Sequence, residues 1–262
     1  MLIKITKSCH NGCIHCCNDS KPSDEHMTID TFIKALEFAE KYDSYNILGN
    51  ELAGGEPTEH PQFFEFIDVY YTILGIKKPL TIATNGHFLL ENPDKIHEYL
   101  DKYPFLNFQV TYDNRYYPKK LDITKRALRH KRIGIVTEVT HITPQGRAAT
   151  NNLPIDNKVM GPSCTNLRLV SLQSPYRSLG KIIQILRQNN KYCTPSIQFD
   201  GGIAFGEYDC CPKLCTIYDT EEYILNKLDT LECDRCPIAS KIMMEKSIAG
   251  NLKIRTMFGD KL

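Results

Sequence analysis

A chain of 262 residues can bury a sizeable core, and its 42% hydrophobic and 24% charged residues match a globular composition. No apolar run approaches the ~18 residues of a membrane helix, so no span is expected. A formal net charge of +1 supplies no field for phosphate backbones, which argues against a nucleic-acid partner. Eleven cysteines, an odd number gathered in clusters, suit metal ligation in a reducing compartment better than a disulfide framework. Met1 to Thr6 enters a strand-like segment with no apolar signal region, and a cytoplasmic location follows as the expectation.

From residue 1 to about 150, short β-like runs alternate with amphipathic helical patterns, which predicts repeated strand-helix units and a parallel sheet. Leu2 to Thr6 is the first strand. After a cysteine-rich loop, Thr28 caps a helix that carries Ile29, Phe32, Ile33, Leu36 and Ala39 on one face. A second strand around Ile47 to Ala53 runs into Gly54-Gly55-Glu56-Pro57, and Pro61 is expected to open the next helix, with Phe63, Phe64, Ile67, Tyr70, Tyr71 and Leu74. Leu80 to Thr84 is the third strand, ending in the turn signal Thr84-Asn85-Gly86 before a helix at about Asp94 to Lys102. Phe105 to Tyr112 is the fourth strand, residues 122 to 130 a fourth helix, and Ile133 to Thr140 the fifth strand. Past residue 145 the pattern loosens, with one more strand at Leu167 to Leu172, and the core closes by about residue 190. Ser196 to Phe199, a turn at Asp200-Gly201-Gly202, and Ile203 to Tyr208 form a β-hairpin. Helices at Glu221 to Leu228 and about Ala239 to Ala249 complete the chain.

The polar motifs lie after strands, where ligands bind in parallel β/α sheets and barrels. The first is Cys9-His10-Asn11-Gly12-Cys13-Ile14-His15-Cys16-Cys17. A chain reaches at most roughly 3.5 Å per residue, so these thiols face one small object. Thiolates select soft metals and iron-sulfur clusters, and a [4Fe-4S] cube normally takes four cysteines. Cys9, Cys13 and Cys16, spaced C-x3-C-x2-C, would leave one iron for something that is not protein. A half zinc site or three buried thiols share the same spacing.

C-x3-C-x2-C after strand one and Gly-Gly-Glu-Pro after strand two resemble the radical S-adenosylmethionine (radical SAM) superfamily over about residues 1 to 190. The resemblance implies a partial (β/α)6 TIM-type barrel. It implies that Cys9, Cys13 and Cys16 hold a [4Fe-4S] cluster whose open iron chelates the methionyl group of S-adenosylmethionine, which is split to methionine and a 5′-deoxyadenosyl radical. Gly54 and Gly55 let backbone approach that methionyl group, and Glu56 or nearby carbonyls accept from its ammonium. The residue before the third cysteine is usually aromatic and packs on the adenine; here it is His15. Cys17 must stay off the iron. Further cofactor contacts are expected from Thr84 and Asn85, from Gln109, Thr111 and Asp113 on one face of strand four, from Glu138 and His141 after strand five, and from Arg147, which could pair with the methionyl carboxylate.

A second cysteine group follows. Cys193 and Cys211 have 17 residues between them, and Cys233-x2-Cys236 comes after another 21. With a hairpin between the first two, residues 191–262 resemble the twitch form of the SPASM extension, a small hairpin and helix subdomain in which four cysteines ligate one auxiliary [4Fe-4S] cluster. Cys210 and Cys215 are rival ligands, and a zinc knuckle has the same donors. A fully ligated cluster would transfer electrons, for example the one left on a substrate radical. Cys164 lies outside both groups and is expected to be a buried, inert thiol.

The resemblance implies a radical enzyme that abstracts a substrate hydrogen and oxidises or cross-links a peptide or a small molecule, with an electron donor such as flavodoxin or ferredoxin. A peptide maturase and an aminocyclitol-type dehydrogenase both fit. No leader-peptide recognition domain precedes residue 1, which only tilts that choice. The alternative from another class is a non-catalytic zinc-binding module.

Overall fold

The computed structural model describes residues 1–43, 49–139, 142, 146–153, 195–205 and 213–229. Strands β1 (Leu2–Thr6), β2 (Asn50–Gly54), β3 (Leu80–Thr84), β4 (Leu106–Thr111) and β5 (Ile133–Val136) pair in parallel in sequence order. Between them run helices α1 (Ile29–Asp43), α2 (Phe63–Leu74), α3 (His87–Glu91) and α4 (Pro93–Lys102), and α5 (Gly146–Thr150) follows β5. On the other side of β1 lies β6 (Pro195–Ile197), parallel to it. β7 (Gly202–Phe205) and β8 (Lys213–Thr216) extend the sheet in antiparallel sense, and α6 (Glu221–Asp229) follows. The order is β5-β4-β3-β2-β1-β6-β7-β8, so the sheet is not closed, as in a partial TIM-type barrel. Among the described residues no helix is long and apolar enough to cross a membrane.

Parallel register explains the layering, because residues paired across parallel strands share a face. Ile3, Leu52, Ile82, Phe108 and Ile133 form one continuous buried row. They join Phe32 and Leu36 of α1, Phe66 and Ile67 of α2, and Ile96 and Leu100 of α4 in a single apolar core. The opposite face carries Lys4 paired with Ala53, and Ala83 paired with Gln109, which in turn pairs with Gly134. Small and polar side chains there leave room above the sheet.

Several boundaries differ from the sequence pattern for identifiable reasons. Thr28 does cap α1, its Oγ1 accepting from Thr31 N at 3.2 Å. Pro61 does not open α2, which starts at Phe63. His60 holds the preceding turn, with Nδ1 accepting from Gln62 N at 3.0 Å and Nε2 2.8 Å from Met27 O. Residues 122 to 130 form only a 3-10 turn at Arg126–Leu128. Asp122 captures Thr124 N and Oγ1, and His130 Nδ1 accepts from Arg132 N, local bonds that compete with helix. β5 stops at Val136. The hairpin turn is made by Gly201 at φ +80°, with Asp200 Oδ1 accepting from Gly202 N at 3.0 Å. The strand at 167–172 and the helix at 239–249 lie outside the described residues.

Phe66 is fully buried, 4.5 Å from the Phe32 ring and 4.4 Å from the His60 ring. Phe66→Ala is expected to cost about 3–5 kcal/mol in urea unfolding. Ile76→Ala, at a side chain 56% exposed, should stay within about 0.5 kcal/mol.

Candidate active site at the carboxyl ends of the strands

The cysteine loop leaves β1 and returns along its end. Lys7 N donates to Glu25 O, Cys9 N to Lys21 O and Met27 N to Ile5 O, while Thr6 Oγ1 accepts from Ser8 N at 2.9 Å. Three other parts of the chain pin it. Glu59, in the 3-10 turn Pro57–Glu59, accepts from Ser8 Oγ and His10 N, both at 2.8 Å. Tyr116, beyond β4, accepts from Ile14 N through its carbonyl. From α5, Arg147 donates by N to Cys16 O, by Nε to Cys13 O at 2.8 Å, and by Nη1 to Ser20 O at 2.8 Å and Asp19 at 3.1 Å. Asn151 Nδ2 donates to Ile14 O. Gly146 approaches so closely that a Cβ would lie 2.6 Å from Cys16 O.

Within that frame Cys9 and Cys13 are buried and Cys16 is half-buried. Burial pushes the Cys9 thiol up to about 11, and Cys13 up to about 12, where the neighbouring Cys9 and Cys16 add repulsion. Crowded, desolvated thiols resist ionisation unless a positive group shares their charge, and that is the donor set an iron-sulfur cluster takes. Among the described residues, no three His, Cys, Asp or Glu side chains are placed to hold a single metal ion. A cube presents its irons at separate corners, so its thiolates need not converge on one point. Asn11 Nδ2 lies 3.1 Å from Cys13 Sγ. Cys17 Sγ lies 3.8 Å from Asn18 Oδ1.

The Gly54–Pro57 turn packs directly on this loop. Gly55 N donates to Thr6 O at 2.8 Å and Glu56 N to Ser8 O at 2.7 Å. A Cβ on Gly54 would sit 2.2 Å from Thr6 O, and one on Gly55 2.1 Å from Ser8 O. The glycines are therefore required by the approach of two backbones, a need the sequence alone did not reveal. Glu56 turns inward, 3% exposed, and burial raises its pKa. Its carboxylate accepts from Thr58 Oγ1 and Thr84 Oγ1 at 2.7 Å and from Asn85 N at 2.6 Å. Thr84, Asn85 and Glu56 thus form one network joining the ends of β2 and β3.

His15 sits half-buried against Tyr116 and Tyr117, ring centroids 5.2 and 5.3 Å away. Burial lowers its pKa and keeps it neutral, and its Nδ1 is buried without a hydrogen-bond partner. Tyr117 is pushed far above the usual phenol range, first by burial, then by Cys13, Glu56, Cys9 and Cys16, which places it against the cysteine loop. Gln109 and Thr111 lie on the open face of β4, Gln109 exposed and Thr111 half-buried. Asp113 is buried and engaged by Arg115 Nη2 at 2.6 Å and Val139 N at 2.8 Å, while Glu138 is exposed. His141, Cys164, Cys193, Cys210, Cys211, Cys233 and Cys236 lie outside the described residues. Cys215 lies on β8 inside the apolar core with Ile203 and Ile224, its thiol raised to about 12 by burial. Sequence reasoning missed Asn11, Glu59, Tyr116 and Tyr117. The signal that could have found the tyrosines is an aromatic pair just past a strand end.

The profile of the Radical SAM superfamily matches residues 3–143, more than half of the chain. The chain belongs to the radical SAM superfamily. Membership implies an enzyme that uses a [4Fe-4S] cluster and S-adenosylmethionine. No curated protein matches the sequence. Among solved structures, BtrN in complex with AdoMet and 2-DOIA is similar with a TM-score of 0.54 and 12% identity, covering 90% of this chain and 87% of that one. Streptococcus suis SuiB bound to precursor peptide SuiA gives 0.49 and 13%, covering 77% and 58%. anSMEcpe with bound AdoMet and Cp18Cys peptide gives 0.39 and 14%, covering 90% and 86%. At these identities the likeness is one of fold.

Gly55→Ala is expected to force the loop away from β2 and to lower the iron retained after anaerobic purification several-fold. Gly134→Ala, where a Cβ meets nothing closer than 3.9 Å, should leave iron content unchanged. Arg115 holds the Asp113 carboxyl well below the usual carboxylate range. The stability this supplies is present above the unfolded value near ~3.9 and fades as pH falls through the folded one. The gap in urea midpoint between wild type and Asp113→Asn should therefore be constant from about pH 6 to 8 and narrow below about pH 4.

Proposed function

We propose that this radical SAM enzyme abstracts a hydrogen atom from a peptide or small-molecule substrate and oxidises or cross-links it. The observation that carries the reading is the locking of the cysteine loop onto the Gly54–Glu56 turn, through Gly55 N to Thr6 O and Glu56 N to Ser8 O. In this reading Cys9, Cys13 and Cys16 would hold the cluster, which would supply the electron that splits the sulfonium of S-adenosylmethionine to methionine and a 5′-deoxyadenosyl radical. The backbone of Gly54 and Gly55 borders the methionyl group. Glu56 positions that backbone through Thr58, Thr84 and Asn85, and Arg147 holds the loop shut. His15 would pack on the adenine, with its ring presenting Nδ1, and Thr111 would face the ribose.

Residues 191–262 form the auxiliary part, following a core of residues 1–190, and Cys193, Cys211, Cys233 and Cys236 would bind a second [4Fe-4S] cluster as an electron acceptor. Cys215, packed on β8 with Ile203 and Ile224, is left out of that set. The first strand of this part, β6, shares the sheet of the core. Flavodoxin or ferredoxin would supply electrons in the cytoplasm. Both substrate branches stay within the reading: a ribosomal peptide matured by thioether or carbon-carbon links, and an aminocyclitol-type alcohol oxidised at carbon.

Anaerobically purified protein should be brown, carry close to eight irons and form 5′-deoxyadenosine from S-adenosylmethionine only with reductant. The Cys9, Cys13 and Cys16 triple alanine variant should form none. Undiminished 5′-deoxyadenosine from that variant would sink the ligand assignment. A colourless zinc protein would favour the non-catalytic module, and a count near four irons would remove the auxiliary cluster alone.

A further inference from the structure

Asn11 is one of three residues between the first two cysteines, and it is only 3% exposed. Its Nδ2 lies 3.1 Å from Cys13 Sγ. Its Oδ1 is buried and has no hydrogen-bond partner. The side chain borders a cleft of about 250 Å³ between the cysteine loop and α3, lined also by Glu56, Asn85 and His87. Gly12, at φ +66°, turns the chain so that Cys13 comes back over the Asn11 amide.

Charge fixes which end of the amide faces sulfur. A cluster-bound thiolate carries no proton and only accepts, so Oδ1 against it would be repulsive, while Nδ2–H donates. We propose that Asn11 sets the reduction potential of the cluster held by Cys9, Cys13 and Cys16, through its Nδ2–H···Sγ bond to Cys13. Reduction adds negative charge to the cluster and its sulfurs. A buried donor stabilises that reduced form more than the oxidised one and raises the potential. The buried, unpartnered Oδ1 costs desolvation, and that cost is tolerated because the other end of the same amide meets an anion.

This inference rests on the ligand set proposed above. It is tested on the full-length, cluster-loaded protein by anaerobic redox titration followed by electron paramagnetic resonance. Asn11→Leu keeps the volume and removes the donor. At the potential where wild type is half reduced, its reduced-to-oxidised ratio is expected to fall about tenfold, equivalent to 59 mV for a one-electron couple. Asn11→Asp places a carboxylate against sulfur and should lower the ratio further. Wild-type protein labelled with ¹⁵N-asparagine gives a readout independent of any variant: a weak nitrogen hyperfine coupling to the reduced cluster. An unchanged potential in an Asn11→Leu protein loaded to wild-type iron content overturns the inference and leaves the ligand set intact. The absence of an asparagine coupling in wild type does the same, and decides the matter if neither variant loads. A wild-type protein without a cluster overturns both.

Discussion

Two short hydrogen bonds hold the functional end of this protein together: Gly55 N to Thr6 O and Glu56 N to Ser8 O. They continue the β1–β2 pairing past the end of the sheet, so the cysteine loop departs as an extension of the ladder and not as a free surface loop. A methyl group on either glycine would meet a carbonyl oxygen at little more than 2 Å. Everything else at the site adds to that join. Glu59 fastens the loop from the turn after β2, Arg147 from α5, Asn151 from just past it, and Tyr116 from beyond β4. Loops usually carry function at some cost in precision; this one is fixed by backbone to a rigid sheet, which is what a cluster with one exchangeable corner requires.

The same economy governs the polar residues around the join. Glu56 accepts from Thr58, Thr84 and Asn85, so its carboxylate organises the ends of two strands. Arg147 engages loop carbonyls with two of its nitrogens and tempers the crowding at Cys13. Asp113 is occupied by Arg115 and the Val139 amide. Residues that look like cofactor ligands in a linear reading are here tied into the frame around the thiols.

Much of the fold was legible because its signals are local. β1, β3, α1 and the helix at 221 follow the alternation and the 3.6-residue period, and Thr28 is a cap by residue type. Cys9 to Cys16, Gly54 to Glu56, and Thr84 with Asn85 stand at the ends of β1, β2 and β3, as the order of motifs implied. What was not legible depends on partners distant in sequence. The expected helix at 122–130 had the composition, but Asp122 captures Thr124 N and His130 captures Arg132 N in local turns at its two ends. β8 is four residues long and shows no alternation. The role of Arg147 is set by residues more than a hundred positions away, and the pattern around it carries no trace of them.

β1 has partners on both sides, and they arrive at very different times. β2 follows within about fifty residues, whereas Ser196 and Ile197 of β6 complete the other edge near the far end of the chain. At the usual pace of synthesis that interval is roughly ten to forty seconds. During it the strand that feeds the cysteine loop is an unprotected edge, open to pairing with another nascent chain. The topology thus sets an assembly order, in which the β1 edge stays open until β6 arrives.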